Sequence, residues 1–398
     1  MTTRRVLLQI LADGHFHSGE ELGARLRVTR AAIWKQLHAL EALGLTVYAV
    51  RGRGYRLDQP IEFLQADIIQ ALLPATVREQ LHHLDVVHET DSTNSHLKSL
   101  ALQGAALGTA CLAEWQRAGR GRQGRTWVSP FGSNIYLSLL WRFPTGPAAL
   151  AGLSLAVGVA LARAVQDSGC PGVGLKWPND LVWNGQKLGG ILVEIAGESS
   201  GPSYAIIGVG VNLRMSGRAE GDIDQPWTDL SRICHEIPSR NALAAAVLSQ
   251  LITTLQLFES KGLSPFMDAW RGWDVTAGRA VQLHLPSEVV TGFAQGISDD
   301  GAILIRVGGS DRVGIRSRDD GAVRGRCGAG GNGAGGPDRL GNPAGGGVRP
   351  GGVHPPGRGA GAGARRVIPA DTGRIRGNGA GGGSRGPAPP GAASLEEP

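Results

Sequence analysis

Cysteine, lysine and long apolar runs are all scarce in this 398-residue chain, and each shortage removes a class of function. The four cysteines, Cys111, Cys170, Cys234 and Cys327, stand far apart with no close pair. That spacing speaks against a disulfide framework and a cysteine-based zinc site, and it points to a reducing, cytoplasmic setting. Met1 to Arg5 runs straight into a short amphipathic pattern, so no signal peptide is expected. The one apolar stretch of note, Ala148 to Ala162, is short for a membrane span and rich in Gly and Ala, and it lies between Pro147 and Arg163. A buried helix is the expected reading.

Charge of one sign is also missing where it would matter. The net charge of +6 arises from Arg316 onward, where 12 arginines face 6 acids; residues 1–315 carry 28 basic and 28 acidic residues and are neutral. Overall charge therefore says nothing of a nucleic-acid partner, but the first sixty residues hold 9 basic against 5 acidic side chains and could face a phosphate backbone. Aromatic residues are absent beyond Ser310, and Gly, Ala, Pro and Arg take over. Such a segment has too little bulky apolar surface to offset its ordering entropy. Residues 316–398 are expected to be a disordered tail, read as an out-of-frame extension of a GC-rich gene.

What is present begins with the head. Val6, Leu7, Ile10 and Leu11 recur at helical spacing until Asp13 and Gly14 break the pattern. Ser18 and Glu21 have capping-box spacing for a second helix through Leu26, and Thr29 caps a third, Arg30 to Leu43, ended by Gly44. Two short strands, Val47 to Val50 and Tyr55 to Leu57, flank the turn Arg51 to Gly54. This order predicts a winged helix-turn-helix over residues 1–60, with Thr29, Arg30 and Lys35 in a DNA groove and Arg51 and Arg53 on phosphates. The alternative is a small helical domain used for protein contacts. Trp34 and Leu37 are expected in its core.

From residue 61 to about 270, alternating helical and strand-like patterns predict one mixed α/β domain; 271–315 is β-rich and suggests a small barrel. Within the α/β part, Gln116 to Trp127 (QRAGRGRQGRTW) sets Arg120, Arg122 and Arg125 among Gly119, Gly121 and Gly124. Glycines let a backbone approach a ligand closely, and guanidinium forks match phosphate or carboxylate oxygens. The expectation is a loop that closes over an anion, although a solvated basic hairpin has the same composition.

Upstream of the loop lies ETDSTN (Glu89 to Asn94); downstream come KWPND (Lys176 to Asp180), KLGGILVE (Lys187 to Glu194) and GVGVN (Gly208 to Asn212). In this order they resemble the biotin protein ligases, and with the head the chain resembles the bacterial bifunctional biotin ligase and biotin-operon repressor family. The resemblance covers roughly residues 1–310. It implies a class II synthetase-like centre and an SH3-like C-terminal barrel, cut short where the composition changes.

The resemblance also implies a chemistry: biotin is adenylated by ATP with Mg²⁺, then passed to a lysine of the biotin carboxyl carrier protein of a carboxylase. Ser92, Thr93 and Asn94 match the biotin-head contacts, and Gln116, Gly119, Arg120, Gly121, Arg122 and Gly190 match the cover and wall over biotin. Lys187 is the residue expected to stabilise the reacting charge, with Arg122 beside it. Arg120, Arg122, Arg125, Lys176, Asn179, Asp180 and Asn212 match the nucleotide side, Asn179 and Asp180 being candidate Mg²⁺ ligands and Asn212 the position that meets adenine. Gln123 departs from the family, where a basic residue is frequent. A homodimer on operator DNA is implied when the adenylate is bound. Three readings stay open at this point: ligase and repressor, ligase without regulation, and a biotin-responsive DNA-binding sensor without efficient catalysis.

Overall fold

The computed structural model describes residues 3–199, 201–215, 223–285, 288–308, 311–315 and 322–324. The expected disordered tail, apart from 322–324, and Cys327 lie outside the described residues.

The head folds as its spacing dictates. Helices α1 (Thr3–Leu11), α2 (Gly19–Leu26) and α3 (Arg30–Glu41) precede the antiparallel hairpin β1 (Val47–Val50) and β2 (Gly54–Leu57). Ser18 and Thr29 are the N-caps of α2 and α3, each side chain accepting from a backbone N–H. Leu7, Leu8, Leu11, Leu22, Ile33, Leu37 and Leu40 close its core. Trp34 does not join them: it is 54% exposed. The core of α3 runs through Ile33, Leu37 and Leu40 at helical spacing, and residue 34 lies about 100° further round the helix.

The central domain continues with α4 (Ala66–Leu72), α5 (Ala75–Arg78), β3 (His83–Val87), α6 (Thr93–Leu102), β4 (Thr109–Ala113), β5 (Ile135–Phe143), α7 (Leu153–Asp167), β6 (Gly174–Lys176), β7 (Asp180–Trp183), β8 (Gln186–Gly197) and β9 (Ser203–Val211). It ends with α8 (Leu230–Ile233), α9 (Arg240–Lys261) and α10 (Met267–Trp273). The sheet order is β3-β4-β5-β9-β8-β7-β6, with β3 and β4 parallel and every other pair antiparallel. Alternation along the strands gives the two faces different tasks. Ala110, Leu112, Leu139 and Ile207 face the large core, to which α7 and α9 contribute, whereas Cys111, Leu140 and Ile206 pack with Leu97 and Ala101 of α6. The apolar stretch of α7 is thus a core helix, with Leu155 to Ala162 buried throughout.

The third unit is a sheet of order β13-β12-β11-β10-β14, all antiparallel, from β10 (Ala280–His284), β11 (Val289–Ile297), β12 (Ile303–Val307), β13 (Asp311–Ile315) and β14 (Ala322–Arg324). Two strands pair beyond Ser310: β13 falls within the expected 271–315 unit, and β14 lies in the segment expected to be tail, where ladder bonds need only backbone and tolerate the poorer side-chain composition. Trp177, after expectation, packs: it is buried and donates from Nε1 to Gly301 O at 3.1 Å, joining this unit to the centre.

Cys170 and Cys234 are joined in a disulfide across 64 residues, against the expectation from their spacing. The end of α7 and the turn after α8 meet in space, which linear separation does not reveal. Cys111 is free and buried, and burial pushes its thiol pKa far up, so it is inert.

Charged groups tie the linker to the start of α9. Glu62 accepts from Ser239 Oγ at 2.6 Å, Arg240 N at 2.7 Å and Asn241 Nδ2 at 2.6 Å. Burial opposes its charge, but these donors prevail and hold its pKa below the ordinary 4.5. A carboxylate with a depressed pKa contributes stability that is complete above its unfolded pKa and is lost as pH falls through the folded one. The urea midpoint should thus drop on acidification below about pH 4.5, and less steeply in Glu62→Gln; equal slopes for the two proteins would refute the assignment.

Candidate functional site

The cavity arises from small residues on the α6 side of the sheet. Where Leu140 and Ile206 fill that face beside α6, the next same-face positions are Ser138, Gly208 and Gly210. Ser138 pairs with Gly208 across β5 and β9, and Gly190 with Gly210 across β8 and β9. A Cβ on Gly208 would collide with Asn94 Oδ1, and one on Gly210 would lie 2.6 Å from the Trp127 ring. Only glycine lets these groups lie on the sheet. The result is a cavity of about 810 Å³, in the size range of small-molecule sites.

Its inner end is neutral and polar. Ser92, Thr93, Asn94 and Gln116 are buried at the start of α6 and after β4. Gln116 Oε1 accepts from Thr93 N at 2.9 Å, and Gln116 Nε2 donates to Ser129 Oγ at 3.1 Å. Asn94 Oδ1 accepts from Ser138 Oγ at 2.6 Å, while its Nδ2 donates to Glu194 Oε2 at 2.7 Å. These bonds lock the amides' orientation, so donors and acceptors meet a ligand at fixed positions.

The outer end is cationic. The Gly-Arg segment is a small hairpin: Gly121 N donates to Arg125 O, and Trp127 N to Gly119 O. Gln123 takes the left-handed conformation at its tip, with φ 55°. Arg120 forks onto Glu194 at 3.2 and 2.8 Å, so the hairpin is tied to the same carboxylate that holds Asn94. Gly119 alone among the expected residues does not line the cavity; it is buried beneath the hairpin, where a Cβ would meet Trp127 O and Ser129 Oγ. Arg122 and Arg125 do line it.

Lys187, on β8, places Nζ 2.8 Å from Asp180 Oδ1 of β7 and 5.6 Å from the centre of the Trp127 ring. The Lys–Asp contact is ionic without hydrogen-bond alignment, since Asp180 Oδ1 is buried and lacks an aligned donor. Asn179 Nδ2 donates to Ile191 O at 2.8 Å. Lys176 and Gly190 line the same wall. Asn212 is buried and gives its Nδ2 to Thr228 O at 3.0 Å, which fixes the segment from Ile223 to Thr228 along β8, where Lys187 N also donates to Pro226 O. Among the described residues no three His, Cys, Asp or Glu groups gather to hold a metal on their own.

Sequence reasoning missed Ser138, Trp127, Glu194 and the 223–228 segment. Alternating glycines in GVGVN were a readable sign of close approach on one strand face; Ser138 and the segment carried none. The head also reaches the site's root: Arg4 of α1 and Arg117 bind opposite oxygens of Glu89 at 2.9 and 2.8 Å, and Arg117 also holds Asp91 at 2.9 Å. Phe131, just beyond the hairpin, packs within the head's core.

Of the DNA-side residues, Thr29 Oγ1 is engaged in its cap, accepting from Ala32 N. Arg30, Lys35 and Arg51 are exposed, and Arg53 stacks over Phe16 at 4.4 Å.

Gly208→Ala should push Asn94 off the floor and raise the KM of the ligand bound there by about fivefold to tenfold, the cost of roughly one hydrogen bond. An unchanged KM in steady-state assays would place the ligand elsewhere.

Comparison with known proteins follows the same division. The description "HTH domain" matches residues 3–56, "Biotin/lipoate A/B protein ligase family" residues 86–212, and "Biotin protein ligase C terminal domain" residues 276–317. The chain is 41% identical over 308 residues to the bifunctional ligase/repressor BirA of Salmonella typhimurium, spanning 77% of this chain and 94% of that one. It is 40% identical over 303 residues to the Escherichia coli protein of the same description, spanning 76% and 92%. A solved structure, the biotin protein ligase from Aquifex aeolicus in complex with biotin and ATP, superimposes with a TM-score of 0.53 at 28% identity, over 61% of this chain and 99% of that one.

Proposed function

Because the chain belongs to the biotin protein ligases, among the bifunctional ligase/repressors, we propose that its cavity makes biotinyl-5′-AMP and passes biotin to a carrier lysine. One observation carries this reading: a single cavity joins a neutral, hydrogen-bonding inner end to a mouth of arginines and Lys187. Biotin has that polarity, a ureido ring at one end and a carboxylate at the other. Ser92, Thr93, Asn94 and Gln116 bind the ureido ring, with Gly121 and Gly190 allowing close approach, while Gly119 lets the hairpin pack down on Trp127 O and Ser129 Oγ. Arg120, Arg122, Arg125 and Lys176 take the phosphates, and Asn212 shapes the adenine end together with the 223–228 segment.

In the first step a biotin carboxylate oxygen attacks the α-phosphorus of ATP, and the bond to the β-phosphate oxygen breaks to release pyrophosphate. Lys187 and Arg122 offset negative charge as it builds on the α-phosphoryl oxygens. In the second step a neutral carrier lysine attacks the acyl carbon and AMP leaves. Positioning dominates both steps.

Mg²⁺ fits this site as an ion carried with ATP. Asp180 is a hard carboxylate whose Oδ1 is ion-paired with Lys187 at 2.8 Å, so it would meet the ion as Lys187 turns to the phosphate, and Asn179, whose Nδ2 is committed, keeps its carbonyl oxygen as a further ligand. The ion would neutralise charge on the phosphates. Arg122→Gly should release the adenylate faster by about tenfold or more, since a charge-assisted hydrogen bond is worth ~1.5–3 kcal/mol; unchanged retention on a desalting column would remove Arg122 from the adenylate site.

The head makes the protein a repressor as well, with Arg30, Lys35, Arg51 and Arg53 meeting operator DNA. A homodimer formed on the adenylate presents two heads, and the Arg4–Glu89–Arg117 contacts give the head a path to the loop over the ligand. We read the sheet from Ala280 onward as the SH3-like barrel that helps meet the carrier protein, and the central sheet as class II synthetase-like. We place the protein in the cytoplasm, where the Cys170–Cys234 link would be reduced. Mass spectrometry of a biotin carboxyl carrier domain after incubation with biotin, ATP and Mg²⁺ tests the ligase; gel retardation of a biotin-operon promoter fragment with and without these ligands tests the repressor. An unmodified carrier or a fragment that never shifts would refute the respective half.

A further inference from the structure

We infer that Trp34 is a specificity-determining residue of the DNA-binding head, covering thymine methyl groups in the major groove. The inference rests on the operator-binding reading above. Trp34 is exposed on α3, as are Arg30, Ala31 and Lys35, and lies about 100° round the helix from the buried Ile33. Over half of it is open to solvent, a costly placement for an indole that serves no packing role. It is nonetheless held in place: the His38 ring packs against it, tilted by 43°, at 3.9 Å between centroids, and His38 Nδ1 donates to Trp34 O at 2.9 Å. The indole is thereby braced against the helix, one turn from its N-terminus.

The surroundings choose the partner. No carboxylate occurs between Arg27 and Leu40, whereas Arg27, Arg30 and Lys35 are all exposed, and the hairpin adds exposed Arg51. An apolar surface framed by cations and placed on the third helix of a helix-turn-helix matches a groove walled by phosphates. Within the major groove the one apolar group on a base edge is the 5-methyl of thymine. Arg51 supplies sequence-independent affinity through phosphates, Arg30 and Lys35 can reach phosphates or base acceptors, and Trp34 supplies a preference that hydrogen bonding does not.

The test uses the full chain with biotin, ATP and Mg²⁺. A duplex enriched from a random-sequence pool is resynthesised with each thymine replaced in turn by deoxyuridine, which lacks only the methyl. Dissociation constants are then read by fluorescence anisotropy at fixed salt for wild type, Trp34→Ala and Arg51→Ala. At one or more thymines the wild type should bind the deoxyuridine duplex about fourfold more weakly, the worth of one buried methyl. Trp34→Ala should lose that discrimination and keep its salt dependence, and Arg51→Ala should do the reverse, with a shallower salt slope. Biotin transfer by Trp34→Ala confirms that the variant is folded. A wild type indifferent to methyl removal at every thymine, or a Trp34→Ala protein as sensitive as wild type, would overturn the inference alone. DNA affinity unchanged in Trp34→Ala would assign the indole to a protein partner. A pool with no enriched sequence would overturn the operator reading and the inference with it.

Discussion

Lys187→Ala is expected to slow formation of biotinyl-5′-AMP by about 10²- to 10³-fold, the loss seen when one preorganised donor is removed from a developing oxyanion. Lys187 Nζ is held by β8 between Asp180 and the Trp127 ring, so its position is set before substrate arrives. The lysine is only slightly exposed, with 17% of its side chain open, and water around it competes little for the phosphoryl charge. Single-turnover acid quench at saturating biotin and ATP measures the step. The effect should fall on kcat, because Asn94 and Gln116, which we propose hold the other end of biotin, lie outside the change. A loss confined to KM would make Lys187 a binding group only.

Arg240→Met should destabilise the protein by about 3–5 kcal/mol, the cost of stranding one partner of a buried ion pair. Arg240 and Glu114 meet at 2.6 Å with 4% of each side chain exposed. The guanidinium also donates to Glu62 O at 2.6 Å and Asn134 O at 2.9 Å, and Glu114 Oε1 accepts from Leu64 N at 2.6 Å. One change therefore unties the linker, β4 and α9 together. The control is Arg240→Met with Glu114→Gln, which removes both charges and should recover part of the loss. Urea unfolding of the two variants measures this, and a double variant no more stable than the single one would show that packing, not charge, carries the effect.

Local rules made much of this molecule readable. Ser18 and Thr29 announced the starts of α2 and α3, and β1 has the bounds expected from the short apolar run Val47 to Val50. The residues expected at the ligand site converge because motifs at the start of α6, after β4, and on β7, β8 and β9 meet across one sheet face. Trp34 was misplaced because a single helical position separates core from solvent, and hydrophobicity alone does not distinguish 33 from 34. The Glu114–Arg240 pair, 126 residues apart, and the Cys170–Cys234 link depend on tertiary proximity that no local pattern encodes. Strand β14 escaped notice because composition speaks for side chains, whereas ladders are made by backbone.

The most direct test of the central claim is biotin-dependent exchange of labelled pyrophosphate into ATP by the full-length protein with Mg²⁺. It isolates the step assigned to the cavity from carrier recognition and from DNA. The account predicts exchange that requires biotin and is lost in Lys187→Ala. Absence of exchange in the folded wild type, or exchange indifferent to biotin, would contradict it.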